Sequence, residues 1–164
     1  MKLAILAIGI PGSGKTTALS ALARAYSLRR VSRDDIRQQW FGNPHVQERK
    51  DAVRREADRR MHEAIAAGNP AVLDSIFIDR GERMRTIAKA RAAGATRVVG
   101  VVFTTSLAKA KARNRQRTHA VPDEVIDRMY RKFEKSPPAR AEGFDALYTS
   151  DQLEKLERIE LKKR

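Results

Sequence analysis

Leu3-Ala4-Ile5-Leu6-Ala7-Ile8, followed at once by Gly9-Ile10-Pro11-Gly12-Ser13-Gly14-Lys15-Thr16, decides the fold. Six apolar residues in a row suit a strand buried on both faces, as in a parallel sheet covered by helices. The next eight read GxxxxGKT, and Ala18-Leu19-Ser20-Ala21-Leu22-Ala23 then carry a helix. Strand, glycine-rich turn and helix in that order make a phosphate-binding loop. The glycines let several N–H groups face one concavity, and the helix adds the positive end of its dipole. Lys15 is spaced to reach β- and γ-phosphates and the Thr16 hydroxyl to ligate Mg²⁺. Gly12, Ser13, Gly14 and Thr17 complete the cradle. A glycine-rich turn that binds nothing would require neither the Lys nor the Thr. The expected occupant is ATP, or another nucleoside triphosphate, with Mg²⁺.

A chain of 164 residues suits one domain, residues 1–164, with a single sizeable core. Its 34 Lys+Arg against 20 Asp+Glu leave a formal charge of +14. Such an excess favours a polyanionic partner and salt-dependent association; the alternative is a solvated charged surface with no partner. A membrane role is not expected. The Arg-rich stretches carry mostly Ala opposite their charges, and no run approaches the ~18 apolar residues of a span. There is no cysteine, hence no disulfide framework, thiolate nucleophile or Cys metal site, which fits a cytoplasmic setting. A secretory signal at the N-terminus would have to contain the phosphate loop, and that reading is rejected. Oligomeric state leaves no trace in the sequence.

Along the chain, a helix is expected from about 15 to 26 and a short strand over 28–31. Another helix begins at Ser32-Arg33-Asp34-Asp35, with Ser32 as its cap. After Gly42-Asn43-Pro44, a polar helix over roughly 46–67 presents Val53, Ala57, Met61, Ala64 and Ile65 inward, and Gly68-Asn69-Pro70 stops it. Ala71-Val72-Leu73 reads as a buried strand delivering Asp74. Residues 80–93 form a helix with Met84, Ile87 and Ala88 inward, and 97–103 form an interior strand. Ser106 caps a short basic helix reaching about Arg117, and Pro122 opens the next, with Val125, Ile126, Met129, Tyr130 and Phe133 on one side. From Phe144 onward the pattern is ambiguous, and Leu156–Leu161 suits either strand or helix. Alternating strands and helices imply an α/β fold with a mostly parallel sheet flanked by helices. Ligands of such sheets gather at the carboxyl ends of the strands, where Gly9, Ser32–Asp35 and Asp74 all fall.

Phosphoryl transfer needs charge compensation, a metal ion and a residue that deprotonates the acceptor. Asp34 or Asp35 could serve as that base; equally, one caps the helix and the other is solvated. Arg37 can fork onto a phosphate, although alone it reads as a surface residue. Asp74 suits a place near Mg²⁺ or substrate, or a turn cap. In Lys111–Arg117, Arg113 and Arg117 share a helix face while Arg115 points elsewhere. The pair suits a mobile lid compensating phosphate charge, against the default of a solvated run. His45, His62 and His119 lack metal-ligand spacing. Trp40-Phe41 suits base stacking, but core packing is the stronger expectation. Arg49, Lys50, Arg54, Arg55, Arg59 and Arg60 give the 46–67 helix enough positive charge to track a nucleic-acid backbone.

Three segments together resemble the 5′-hydroxyl polynucleotide kinases, in particular the kinase domain of the phage enzyme. They are Ile8–Thr17, Ser32-Arg33-Asp34-Asp35-Ile36-Arg37, and Arg113-Asn114 through Arg117 leading to Ala120-Val121-Pro122. The similarity runs from about residue 3 to 134. It implies a P-loop NTPase fold with a short Arg-bearing helical lid at about 106–120. Lys15, Thr16 and the loop would bind donor phosphates and Mg²⁺, and Asp34 would be general base for the 5′-hydroxyl. Arg37 would hold the acceptor's 3′-phosphate, with Asp74 supporting that site, and Arg117, assisted by Arg113, would stabilise the transferring phosphoryl. Where the family often has Thr-Asn after the strand-three acid, this chain has Ser75-Ile76-Phe77. The implied partner is DNA or RNA with a 5′-hydroxyl end. Alternative expectations are a kinase of hydroxymethyl-pyrimidines in DNA, a small-molecule kinase, or an ATP-gated nucleic-acid-binding module.

Overall fold

The computed structural model describes residues 2–162. Five strands form one parallel sheet: β1 (Leu3–Ile8), β2 (Arg29–Ser32), β3 (Ala71–Asp74), β4 (Arg97–Val102) and β5 (Ala146–Thr149), in the order β2-β3-β1-β4-β5. Between them run α1 (Lys15–Ala25), α2 (Arg33–Phe41), α3 (Lys50–Ala66), α4 (Arg80–Ala92), α5 (Leu107–Arg115) and α6 (Asp123–Lys135). After β5 comes the short α7 (Leu153–Leu156), continued by a π-helical turn over Glu157–Leu161. This is the expected P-loop fold. Among the described residues no helix is long and apolar enough to cross a membrane.

Within the apolar run of β1, alternate side chains enter different layers. Leu3, Ile5 and Ala7 pack with Leu19 and Leu22 of α1 and with Leu156 and Leu161. Ala4, Leu6 and Ile8 face the layer of α2, α3 and α4, including Ile36, Val53, Met61 and Ile87. The central strand thus supplies both cores, as period-two side-chain alternation requires. A third cluster, Ile10, Ile78, Ala110 and Ile126, lies under α5 and α6.

Register places the functional edge. Ala7 is paired with Asp74, and Asp74 with Ser32, so the carboxyl ends of β1, β3 and β2 stand side by side.

Several expectations need correction. The long helix starts at Lys50 rather than 46. Residues before it are held as a loop, in which the His45 N–H donates to Asn43 Oδ1 at 2.9 Å and Arg49 adopts a left-handed φ of 54°. The inward face of α4 is Arg83, Thr86, Ile87 and Ala90, whereas Met84 is 43% exposed and Ala88 also points outward. The cause is an ion pair. Arg83 is fully buried and its guanidinium donates to both oxygens of Glu142, at 2.6 and 2.7 Å, and to the carbonyls of Phe77 and Ser136. The ambiguous tail resolves into an edge strand, β5, and helix over Leu156–Leu161.

Candidate active site

Gly12 and Gly14 hold φ of 79° and 92°, in the left-handed region that side chains avoid. At Gly12 the need is also steric: a Cβ there would overlap the carbonyl of Ala110 on α5, so the loop and the lid helix touch through backbone. Thr105 Oγ1 adds a bond to the Ser13 carbonyl at 2.9 Å. At Gly14 the nearest atom to an added Cβ would be Arg113 Nη1, at 3.3 Å. The guanidinium of Arg113 therefore stands over the loop. Lys15 opens α1 and is only 8% exposed. Its ammonium donates to the carbonyls of Gly9 at 2.7 Å and Ile10 at 2.9 Å. Burial pulls its pKa down to about 8; Asp74 and Asp34 oppose this, while Arg117 adds to it. Two carboxylates and an arginine from three separate segments thus act electrostatically on one ammonium.

Thr16 Oγ1 donates to Asp74 Oδ2 at 3.0 Å. The same carboxylate oxygen accepts from Arg30 Nε at 3.0 Å and Nη2 at 2.6 Å, and Arg30 also pairs with Asp35 at 2.6 Å. Asp74 is thus tied to the Thr16 hydroxyl and to β2. Among the described residues it makes no hydrogen bond to Arg37. Hydroxyl and carboxylate side by side fit the oxygen-only shell that Mg²⁺ takes alongside phosphate oxygens and water. No group of three or more His, Cys, Asp or Glu able to hold a metal occurs among the described residues.

Ser32 caps α2 by accepting from the Asp35 N–H at 3.2 Å, which orients the first turn of the helix. The two carboxylates then part. Asp35 turns to Arg30, whereas Asp34 lines the loop cavity and accepts from Arg37 Nη1 at 3.1 Å. Arg37 Nε is buried and has no hydrogen-bond partner among the described residues. Beside them, Arg33 pairs with Glu82 and stands 5.6 Å from the centroid of the Phe77 ring.

The lid differs from its expected form. Helix α5 ends at Arg115, and Arg117 sits on the following turn, its N–H donating to the Asn114 carbonyl at 3.1 Å. Arg113 and Arg117 nonetheless line the same cavity, while Arg115 turns away to pair with Asp123. Asn114, fully buried, clamps the turn: it donates to the Val121 carbonyl at 2.6 Å and accepts from the Val121 N–H at 3.0 Å. From the opposite wall His45 Nε2 meets the His119 carbonyl at 2.5 Å, joining the 43–49 loop to the lid.

The result is one cavity of about 930 Å³, lined by the loop, Asp34, Arg37, Asp74, Arg113 and Arg117. Its chemistry is that of a phosphate cradle facing a carboxylate. Arg30, the His45–His119 contact and the clamping role of Asn114, itself named only as part of the Arg113–Arg117 segment, were not anticipated from sequence. Each depends on a partner more than forty residues away or on a buried amide closing a turn, and neither has a local signature.

No curated protein matches the chain. Among solved structures, a chain of the Pnkp1/Rnl/Hen1 RNA repair complex superposes with a TM-score of 0.68 at 16% identity, covering 82% of this chain and 44% of that one. This chain therefore spans less than half of that protein. Shikimate kinase from Bacteroides thetaiotaomicron gives 0.62 at 17% identity, covering 96% and 97%. Kti12 from Chaetomium thermophilum, solved with ADP-AlF3, gives 0.66 at 19%, covering 98% and 96%. At such identities these neighbours share the fold. The AAA_33 family, described as an AAA domain, matches residues 5–136, from β1 through the lid to the end of α6. The chain belongs to that family and has the architecture of the P-loop kinases.

Proposed function

We propose that this protein phosphorylates a hydroxyl on nucleic acid at the expense of ATP, most specifically the 5′-hydroxyl end of DNA or RNA. The observation that carries the reading is Arg37 beside Asp34 inside the phosphate cavity, with a buried guanidinium N–H unpartnered among the described residues. A buried donor without a partner is costly, and a charged acceptor removes that cost most effectively. An acceptor carrying a phosphate next to its hydroxyl satisfies both residues: the phosphate takes Arg37 and the hydroxyl meets Asp34. A 5′-terminal nucleotide with its 3′-phosphate has that chemistry. The formal charge of +14 supports a polyanionic acceptor.

In the proposed reaction, the Asp34 carboxylate takes the proton of the acceptor hydroxyl. The hydroxyl oxygen forms a bond to the γ-phosphorus as the bond from that phosphorus to the β–γ bridging oxygen breaks, leaving ADP. Lys15, Arg113 and Arg117 face the charge that builds on the phosphoryl oxygens. Thr16, with Asp74 behind it, would hold Mg²⁺, whose role is to neutralise charge on the β- and γ-phosphates.

The test is transfer of the labelled γ-phosphate of ATP to a panel of acceptors. Labelling of 5′-hydroxyl oligonucleotides is expected. Transfer confined to a sugar, nucleoside or other small metabolite would replace this reading with the small-molecule one. Phosphate recovered on a base after digestion would point to hydroxymethyl-pyrimidine. ATP bound but never consumed would leave a nucleotide-gated binding module.

A further inference from the structure

We propose that Trp40 and Arg49 extend the acceptor site outward as a stacking platform for a base of a single-stranded nucleic acid, downstream of the nucleotide held by Arg37. This rests on the polynucleotide reading above, and its test separates the two.

Trp40 is the only tryptophan in the sequence. The pair Trp40-Phe41 divides: Phe41 packs against the main core, whereas Trp40 remains 41% exposed. Its position on α2 gives the exposure meaning. Arg33, Arg37 and Trp40 are spaced four and then three apart, so they form one stripe along the helix. The first two line the cavity, and Trp40 prolongs their row by one turn, about 10 Å along the axis from Arg33. The neighbouring wall leads the same way. Pro44 and Gln47 line the cavity, and two residues on, the Arg49 guanidinium stands over the indole, 5.9 Å from its centroid. Arg49 holds its place with a left-handed backbone that non-glycine residues adopt rarely.

Charge selects the occupant. Much of the positive surface expected on α3 is neutralised locally: Arg54 pairs with Asp51, Arg59 with Glu56 and Glu63, and Arg60 with Glu56. Arg49, Lys50 and Arg55 have no ion pair among the described residues, and of these Arg49, with Lys50 beside it in sequence, stands at Trp40. An exposed aromatic ring beside unneutralised cations, continuous with a phosphate-seeking arginine, is the combination that holds unpaired strands: bases stack and the backbone meets the charges.

The single tryptophan is its own reporter. A 5′-hydroxyl oligodeoxyadenylate of about ten residues, within the usual span of such sites, is expected to quench its emission without ATP, less so as salt rises. Deoxyadenosine 3′-phosphate, which ends at Arg37, is expected to leave the emission unchanged. In the transfer assay, Trp40→Ala is expected to raise KM for the longer acceptor about five- to a hundredfold relative to the mononucleotide, and Trp40→Phe to keep most of the difference. Transfer to the oligonucleotide with unchanged emission, or an equal effect of Trp40→Ala on both acceptors, would overturn the platform. So would an absence of both quenching and transfer. Quenching by the oligonucleotide with no transfer to any nucleic acid would support the platform and remove the kinase reading.

Discussion

The two walls of the cavity are built in different ways. On the donor side the geometry is written in backbone: two left-handed glycines, a helix N-terminus and a lysine folded back onto its own loop, all within eight residues. On the facing side it is written in side chains from α2, the 43–49 loop and the turn after α5, brought together by register and by contacts across the fold. A local motif fixes where phosphates go. What faces the loop is set by tertiary structure, and so is the part of the site most free to differ among proteins of one fold.

Substitutions on each wall sharpen that contrast. The largest effect is expected from Arg117→Ala. The residue is exposed on its turn, so folding should persist while kcat falls about 10³-fold or more, with ADP affinity nearly unchanged in a binding titration. Asp34→Asn should lower kcat about 10²- to 10⁴-fold, with a much smaller change in KM for ATP, because the carboxylate would meet the proposed acceptor and reaches the phosphate loop only through its field on Lys15. A near-normal rate would end the role given to that carboxylate. Arg37→Ala should leave ATP parameters alone and raise KM for a 3′-phosphorylated acceptor about ten- to a hundredfold. An acceptor without the 3′-phosphate should lose that sensitivity.

The smallest effect is a pH dependence on the donor wall. With its pKa held near 8 by burial, Lys15 in the free protein loses its charge as pH rises through that value. kcat/KM for ATP should then decline by at most about tenfold per pH unit, and Lys15→Arg, whose guanidinium stays charged, should flatten the profile. Stability responds in the opposite sense. A lysine whose folded pKa lies below its ordinary value of 10.5 opposes folding below about pH 8, and that opposition is relieved as pH climbs from about 8 toward 10.5.

Legibility followed the same division. The apolar run of β1, the glycines and the stripe Val53, Ala57, Met61, Ala64, Ile65 are periodic signals, and the structure buries all five stripe residues. The gathering of Gly9, Asp34 and Asp74 at one sheet edge followed from topology and is what the register delivers. What escaped was non-local. An arginine buried by a glutamate some sixty residues on defeats a hydrophobic count, which is why Met84 rather than Arg83 looked like core. Four residues of β5 offer too short a pattern to stand out beside a helical tail. Arg117 reaches the cavity although it lies beyond the helix expected to carry it, because a buried asparagine folds the turn back.

The segment after residue 136 has a consequence for anyone who would shorten or fuse this chain. The family match stops there, yet Arg83 draws its counter-charge from Glu142, and Arg97 draws its own from Glu160 at 2.6 Å. Cutting at the end of the match would leave a fully interior guanidinium without its carboxylate, a loss on the order of 3–5 kcal/mol, and would strip β4 of its outer neighbour. The smallest piece worth expressing is therefore set by ionic partners near the far end, and a tag or linker belongs beyond Leu161.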